Sequence, residues 1–202
     1  MNFHNKKTHS KNNNKIILFQ TYNLRQGLNQ FGKEGLKAVQ NKMKQLHERN
    51  VFKPIHPYKL TKEERSKTME NLIFLTEKKD GRIKVRPCGN GSIRHAYIPK
   101  DDAASLTAST ESAVITSTIE AKQNRDVITA DITNAFVQTD IENEDQNKII
   151  MKIRGQLVNI LSKLEPSTSA RYVSKENNSP ILYVIMLRPL YGMLTSALLF
   201  YK

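Results

Sequence analysis

The chain has 202 residues, and its 32 Lys and Arg against 19 Asp and Glu give a formal net charge of +13. A single cysteine, Cys88, excludes a disulfide framework and a cysteine-based zinc site. The longest apolar run, residues 181–187, is too short to cross a bilayer, and the N-terminus lacks a signal-peptide pattern. We therefore expect a soluble intracellular protein, cytoplasmic or nuclear, with a polyanionic partner.

The charge is unevenly distributed along the chain. Residues 1–100 contain 22 Lys and Arg and 7 Asp and Glu, a balance of +15. Residues 101–150 contain 3 and 10, a balance of −7, and residues 151–202 contain 7 and 2, a balance of +5. This division predicts one region that holds phosphates and another that holds divalent cations.

The N-terminal part is predicted to be a tail followed by helices. Residues 1–20 are rich in Asn and Lys and predict a disordered basic tail. A helix is expected from about Lys33, with an apolar stripe of Leu36, Val39, Met43 and Leu46. Its other face carries Lys37, Lys42 and Lys44, which is typical of a solvated surface.

An extended segment and a short helix are expected next. Residues 51–57 include two prolines and predict extended chain. Thr61 and Glu64 match a capping box that opens a short helix ending near Thr68.

A β-hairpin is the clearest local prediction. The string LIFLTEKK-DG-RIKVR predicts two strands joined by a two-residue turn at Asp80 and Gly81. In the second strand Arg82, Lys84 and Arg86 alternate with apolar residues and lie about 6.6 Å apart. Such a row of cations suits a triphosphate or a nucleic-acid backbone, and it equally suits an exposed strand edge protected by charge.

The C-terminal half mixes helices and strands. Residues 87–108 are expected to be irregular, and residues 110–122 to be helical. Strands are predicted at residues 126–132, 148–154 and 181–187, the last pairing with residues 171–175 across a turn at Asn177 and Asn178. Residues 156–164 are expected to form an amphipathic helix, and a last helix is expected to begin near Leu190. The order predicts an α+β or α/β layered fold.

The sequence allows two interpretations of Asp131. A carboxylate that ends an apolar strand is expected to be poorly solvated, and a divalent cation would satisfy it. Alternatively, the side chain caps the amides of Thr133 or Asn134, which the residue pattern alone favours.

Three blocks of the chain resemble, in order, the reverse transcriptases of copia-type retrotransposons. ADITNAFVQTDI is similar to the family's first catalytic box, KKDGRIKVR to its fingers hairpin, and LRPLYGMLTSALLF to the segment usually read L-x-K-A-L-Y-G-L-K-Q-A-P-R. The resemblance covers about residues 33–202. It implies an α+β fold with the fingers and part of the palm of a right-hand polymerase, and RNA-directed DNA synthesis by two-metal nucleotidyl transfer. The implied divisions are a tail over 1–20, a helical fingers segment over 21–71, the fingers hairpin and loop over 72–102, and a partial palm over 103–202.

The resemblance also implies site roles. Asp131, with the Ile132 carbonyl, would hold Mg²⁺. Lys84 and Arg86 would bind the incoming triphosphate, Arg82 would contact a nucleic-acid backbone, and Phe136 would lie under the deoxyribose. The residue pattern alone favours a core aromatic for Phe136. The residues placed near template and nucleotide are Gln138, Tyr191 and Gly192.

The implied partners are an RNA template, a DNA primer and a deoxynucleoside triphosphate, in a particle-associated or nuclear setting. The family's Y-x-D-D box, which supplies two further carboxylates, would lie beyond Lys202. We therefore expect two Mg²⁺ ions in the intact family but an incomplete, inactive site in this chain alone. Two alternatives stay open: a non-catalytic basic RNA- or DNA-binding remnant, and a poorly folded remnant with an open sheet edge.

Overall fold

A computed structural model describes residues 20–92, 108–141 and 148–201 of the chain. Within them the fold is α+β, with a mixed sheet and helices packed on it. The strands are β1 Thr21–Asn23, β2 Phe52–Ile55, β3 Met69–Glu77, β4 Ile83–Gly89, β5 Ile150–Arg154, β6 Ser174–Glu176 and β7 Ser179–Met186. The helices are α1 Leu24–Glu48, α2 Lys62–Ser66, α3 Thr110–Lys122, α4 Gln156–Leu164, α5 Pro166–Ser169 and α6 Ser196–Tyr201.

Strand β3 connects two parts of the sheet, whose order is β1-β3-β5-β7-β2. Residues 71–77 of β3 pair antiparallel with β4, and residues 74–76 pair antiparallel with β1. The first residues of β3, Met69 and Glu70, pair parallel with β5, which makes the sheet mixed. Strand β7 pairs antiparallel with β5, β2 and β6. The first residues of β3 therefore join the β3–β4 hairpin to the β5–β7–β2 part of the same sheet.

Helix α1 begins earlier than the apolar stripe predicts. It starts at Leu24, where Asn23 and Gln26 form a capping box, and it is interrupted at Gly32 by non-helical backbone. The predicted start at Lys33 coincides with the segment that follows this break. Val39 and Met43 are buried as predicted, whereas Leu36 is 36% exposed.

The predicted hairpin is confirmed, but its turn is different. Gly81 N donates to Lys78 O at 3.0 Å, and Lys78 N donates to Arg82 O at 2.9 Å. Gly81 has a positive φ of 79° and Asp80 does not, so a longer turn replaces the two-residue one. Asp80 instead accepts from the Arg82 amide at 3.1 Å, which stabilises the longer loop.

The C-terminal elements agree with most of the local patterns. Strand β5, helix α4 and strand β7 lie where they were predicted, and β6 pairs with β7 across Asn177 and Asn178. Both asparagines have positive φ, 48° and 60°, as a two-residue hairpin turn requires. The last helix begins at Ser196 and not near Leu190.

The strand predicted over residues 126–132 is wrong. This segment forms no strand, and its residues are exposed, Ile128 to 90%. Consecutive β-branched residues favour extended backbone, but a strand also requires a neighbour to pair with. In the described ranges no strand pairs with this segment. The expectation that Asp131 is poorly solvated is therefore also wrong.

Two other predicted helices are confirmed, and one predicted irregular segment begins later in the chain than expected. Helix α3 and the capping box of α2 are confirmed, and α2 ends at Ser66. The irregular segment predicted from residue 87 is wrong at its start, because β4 continues to Gly89. The predicted basic tail up to residue 19, residues 93–107 of the segment predicted to be irregular, and residues 142–147 lie outside the described residues.

The core lies between the sheet and helices α1 and α4. It includes Val39 of α1, Val158 of α4 and Leu182 and Val184 of β7, each without exposed surface. A smaller cluster around Leu60 covers part of the opposite face. Among the described helices, none is long and apolar enough to cross a membrane.

Candidate anion-binding site

A cavity of about 280 Å³ lies between helix α1, strand β4, the loop before Val137 and the segment after β7. Its charged lining comprises Lys42, Lys78, Lys84, Arg86 and Asp131. The uncharged lining comprises Leu46, Val85, Pro87, Ile132, Thr133, Asn134, Phe136, Val137, Pro189, Leu190 and Tyr191. The cavity thus collects residues from four separate parts of the sequence.

Strand β4 contributes two cations to the cavity lining. Lys84 and Arg86 are exposed, while Val85 between them is buried against the core. Arg82, the third member of the predicted row, does not join them. Its guanidinium pairs with Asp80 at 2.6 Å and lines a neighbouring groove of about 530 Å³. The hydrogen bond from Arg82 also lowers the pKa of the Asp80 carboxyl.

Lys42 reaches the cavity from helix α1 and is half-buried, so the prediction of a wholly solvated basic face is wrong at this position. Its Nζ donates to Asn134 Oδ1 at 2.8 Å and to Gln45 Oε1 at 2.7 Å. Burial lowers the pKa of its ammonium group, and the positive charges of Arg49 and Lys84 lower it further. A bound anion would relieve this repulsion.

Asp131 and Ile132 lie on the exposed loop at the mouth of the cavity. Within the described ranges, Asp131 shows no hydrogen bond or ion pair, so the capping interpretation is wrong. The short 3₁₀ helix Ala135–Gln138 has Asn134 at its N-cap, in the left-handed region at φ 54°, with no side-chain cap. The Asp131 carboxylate is therefore open to solvent.

Two aromatic rings meet at the cavity. The centroids of Phe136 and Tyr191 are 4.7 Å apart with an edge-on angle of 65°, and Phe200 of α6 contacts Phe136 at 6.2 Å. Phe136 is half-buried and lines the cavity, so its position suits both of the interpretations given above. The Arg86 guanidinium carbon lies 5.9 Å from the centre of the Tyr191 ring.

Backbone contacts attach Tyr191 to strand β4. Gly89 N donates to Tyr191 O at 2.8 Å, and Cys88 and Tyr191 form a parallel bridge. Gly192 has φ 79°, and a Cβ there would lie 2.4 Å from Gly89 O. Gly192 therefore contributes a close backbone approach, and only Tyr191 of this pair lines the cavity.

Two further polar residues hold the loop. Gln138 does not line the cavity; its Nε2 donates to Thr133 O at 2.9 Å. Arg188 Nη1 donates to Val137 O at 3.0 Å, and its Nε lies 3.1 Å from Asp140 Oδ1. These contacts fix the 3₁₀ turn that carries Phe136.

The sequence interpretation missed Lys42, Lys78 and Asn134 as lining residues. The only signal available for Asn134 was its residue type, because Asn adopts the left-handed region more readily than most residues. Nothing in the pattern of α1 separates Lys42 from its exposed neighbours Lys37 and Lys44.

The chemistry of the lining favours an anion. Four cationic side chains and one carboxylate line the cavity. Among the described residues there is no group of three or more His, Cys, Asp or Glu side chains. The donors present therefore do not fit a pair of Mg²⁺ ions held by the protein alone.

Comparison of the chain with models of known protein families, with characterised proteins and with experimentally determined structures gives no match.

Proposed function

We propose that this chain is the fingers and part of the palm of a copia-type reverse transcriptase, and that the cavity binds a deoxynucleoside triphosphate. One observation carries the proposal. The three blocks that resemble the family contribute Arg86, Asp131 and Tyr191, which are far apart in sequence but line one cavity. Independent motifs that only resembled a family by chance would have no reason to converge in space.

The cavity supports this ligand in its charge. Its volume of about 280 Å³ lies just below the range of about 300–1,000 Å³ that is typical of small-molecule sites. Lys84 and Arg86 on the stiff β4 strand are suited to phosphate oxygens, since charge-assisted hydrogen bonds are the strong ones. The Phe136 and Tyr191 rings offer an apolar surface to a sugar or base.

We expect this chain to bind a nucleotide without catalysing polymerisation. In the family, Mg²⁺ ions activate the primer 3′-hydroxyl and stabilise the leaving pyrophosphate. Among the described residues, Asp131 is the single carboxylate of the lining, and the Ile132 carbonyl is the other ligand that the resemblance implies. We derive no catalytic step from this donor set and expect nucleotide binding without polymerisation.

A titration with dTTP and Mg²⁺, followed by calorimetry, tests the proposal. Arg86→Ala removes a charge-assisted partner of the triphosphate and should weaken binding about 10-fold or more. Lys84→Ala should weaken it in the same direction. Lys122→Ala, at an exposed position on α3 away from the cavity lining, is the charge-matched control and should bind as the native chain does.

Two results would contradict this account. The first is equal dTTP affinity in native protein and Arg86→Ala. The second comes from primer extension on poly(rA)·oligo(dT): Mg²⁺-dependent incorporation that Asp131→Asn abolishes would show that the chain is active by itself.

A second candidate is a non-catalytic RNA- or DNA-binding protein. The groove beside the cavity favours it, because Lys37 and Arg82 line that groove together with Glu34, and Lys42 borders both spaces. A surface with more cations than carboxylates suits a phosphate backbone. An oligonucleotide that binds in a salt-dependent way, without competition from dTTP, would favour this candidate.

A further inference from the structure

We propose that a surface formed by His56, Tyr58 and Tyr172 stacks a base of single-stranded nucleic acid. We call these three side chains the ring platform. None of them lines the cavity described above. The ring platform follows strand β2 on one side and helix α5 on the other, so it is a separate site.

The three rings contact one another in a stacked series. The imidazole of His56 and the ring of Tyr58 lie 5.0 Å apart, centre to centre, at only 17°. The Tyr172 ring lies 4.3 Å from the imidazole, tilted by 35°. The Tyr58 side chain is nevertheless 75% exposed. Since one face of the Tyr58 ring contacts His56, the exposed face is available to a flat ligand.

The backbone that carries Tyr58 is held firmly. Pro57 opens the 3₁₀ turn Pro57–Lys59, and Leu60 N donates to Pro57 O at 3.1 Å. Arg65 Nη2 donates to the same carbonyl oxygen at 2.6 Å, and Leu60 is buried. A ring fixed in this way loses little conformational entropy when a ligand stacks on it.

The surroundings of the ring platform are cationic. Residues 53–62 contain three Lys, at 53, 59 and 62, and no Asp or Glu. The guanidinium of Arg171 lies 5.2 Å from the centre of the Tyr172 ring. The next two carboxylates along the chain already have partners. Glu63 forms an ion pair with Lys67 at 2.6 Å, and Glu64 accepts a hydrogen bond from the Thr61 amide at 2.7 Å.

An exposed ring with flanking cations is the arrangement that binds single strands. Bases stack on aromatic side chains, while cations follow the phosphates. Duplex bases already stack on their neighbours and offer no free face along the helix. An acidic peptide would use the cations but would gain little from the flat face of Tyr58.

The experiment compares two labelled probes by fluorescence anisotropy. One is an oligothymidylate of about 12 nucleotides, and the other is an abasic oligomer with the same number of phosphates. Tyr58→Leu removes the aromatic ring and keeps an apolar side chain, whereas Tyr58→Phe keeps the ring. Tyr201→Ala is the matched control, because Tyr201 is also exposed, at 59%, but lies on α6.

Tyr58→Leu should weaken oligothymidylate binding about 5-fold or more, and leave binding of the abasic oligomer unchanged. Tyr58→Phe and Tyr201→Ala should bind both probes as the native chain does. Equal affinity of Tyr58→Leu and native protein for oligothymidylate would overturn the proposal. So would an equal loss on both probes. Tyr58→Leu should bind dTTP with the affinity of the native chain. A failure of the ring-platform proposal can therefore be distinguished from a failure of the proposed function.

Discussion

Replacement of Gly192 by alanine is expected to detach the Tyr191 segment from strand β4. Gly192 has φ 79°, and its backbone passes so close to β4 that an added Cβ would lie 2.4 Å from Gly89 O. Real Cβ contacts are essentially never shorter than 3.0 Å, so the segment or the strand must move. The obstacle is a backbone oxygen of a paired strand, which cannot rotate away as a flexible side chain does.

The magnitude follows from three contributions. Left-handed backbone costs an alanine about 1–2 kcal/mol. Movement of the segment breaks the 2.8 Å hydrogen bond from Gly89 N to Tyr191 O, which is worth about 1 kcal/mol. It also exposes part of Leu190 and Met193, now 4% and 5% exposed, at a cost of about 1–2 kcal/mol. We expect Gly192→Ala to lower the free energy of unfolding by about 3–5 kcal/mol.

Gly81→Ala is the control, because Gly81 has the same φ of 79° but no atom within 4 Å of an added Cβ. Gly81→Ala should lower the free energy of unfolding only by the backbone contribution of about 1–2 kcal/mol. Urea unfolding followed by far-ultraviolet circular dichroism measures both variants. If Gly192→Ala is less than about 1 kcal/mol more destabilising than Gly81→Ala, the reasoning about the close approach is refuted.

Two further predictions concern the core and the charge on α1. Leu182→Ala, at a fully buried position of β7, should lower the free energy of unfolding by about 2–5 kcal/mol. Leu72→Ala, at a 38% exposed position, should lower it much less. Equal losses in the two variants would contradict the assigned core. The folded-state pKa of Lys42 is lowered by burial and then by Arg49 and Lys84, so the folded protein loses this proton before the unfolded chain does. The stability of the native protein, relative to that of Lys42→Gln, should therefore increase as the pH rises toward the ordinary lysine pKa of about 10.4. A difference in Tm between the two proteins that does not change with pH would contradict the assignment.

The local patterns predicted those elements whose partners are close in sequence. The β3–β4 hairpin, the β6–β7 turn at Asn177 and Asn178 and the helix α4 follow from alternation, turn residues and helical spacing. Residues 126–132 show where this reasoning fails. β-Branched residues indicate extended backbone, but pairing depends on which distant strand is adjacent, and that information is not local.

The candidate site was predictable only in part for the same reason. The alternation in β4 identified Lys84 and Arg86 as outward-facing, but it could not show that Arg82 would pair with Asp80. Lys42 came from a helix whose exposed and half-buried lysines look alike in sequence. Their convergence is a property of the tertiary packing of α1 against the hairpin.

Photo-crosslinking of an azido-substituted deoxynucleoside triphosphate, mapped by mass spectrometry, tests the central claim most directly. The account predicts adducts on peptides that contain Arg86 or Tyr191, and their loss when excess dTTP is present. Adducts confined to other peptides, or adducts that excess dTTP does not reduce, would contradict the assignment of the cavity as a nucleotide site.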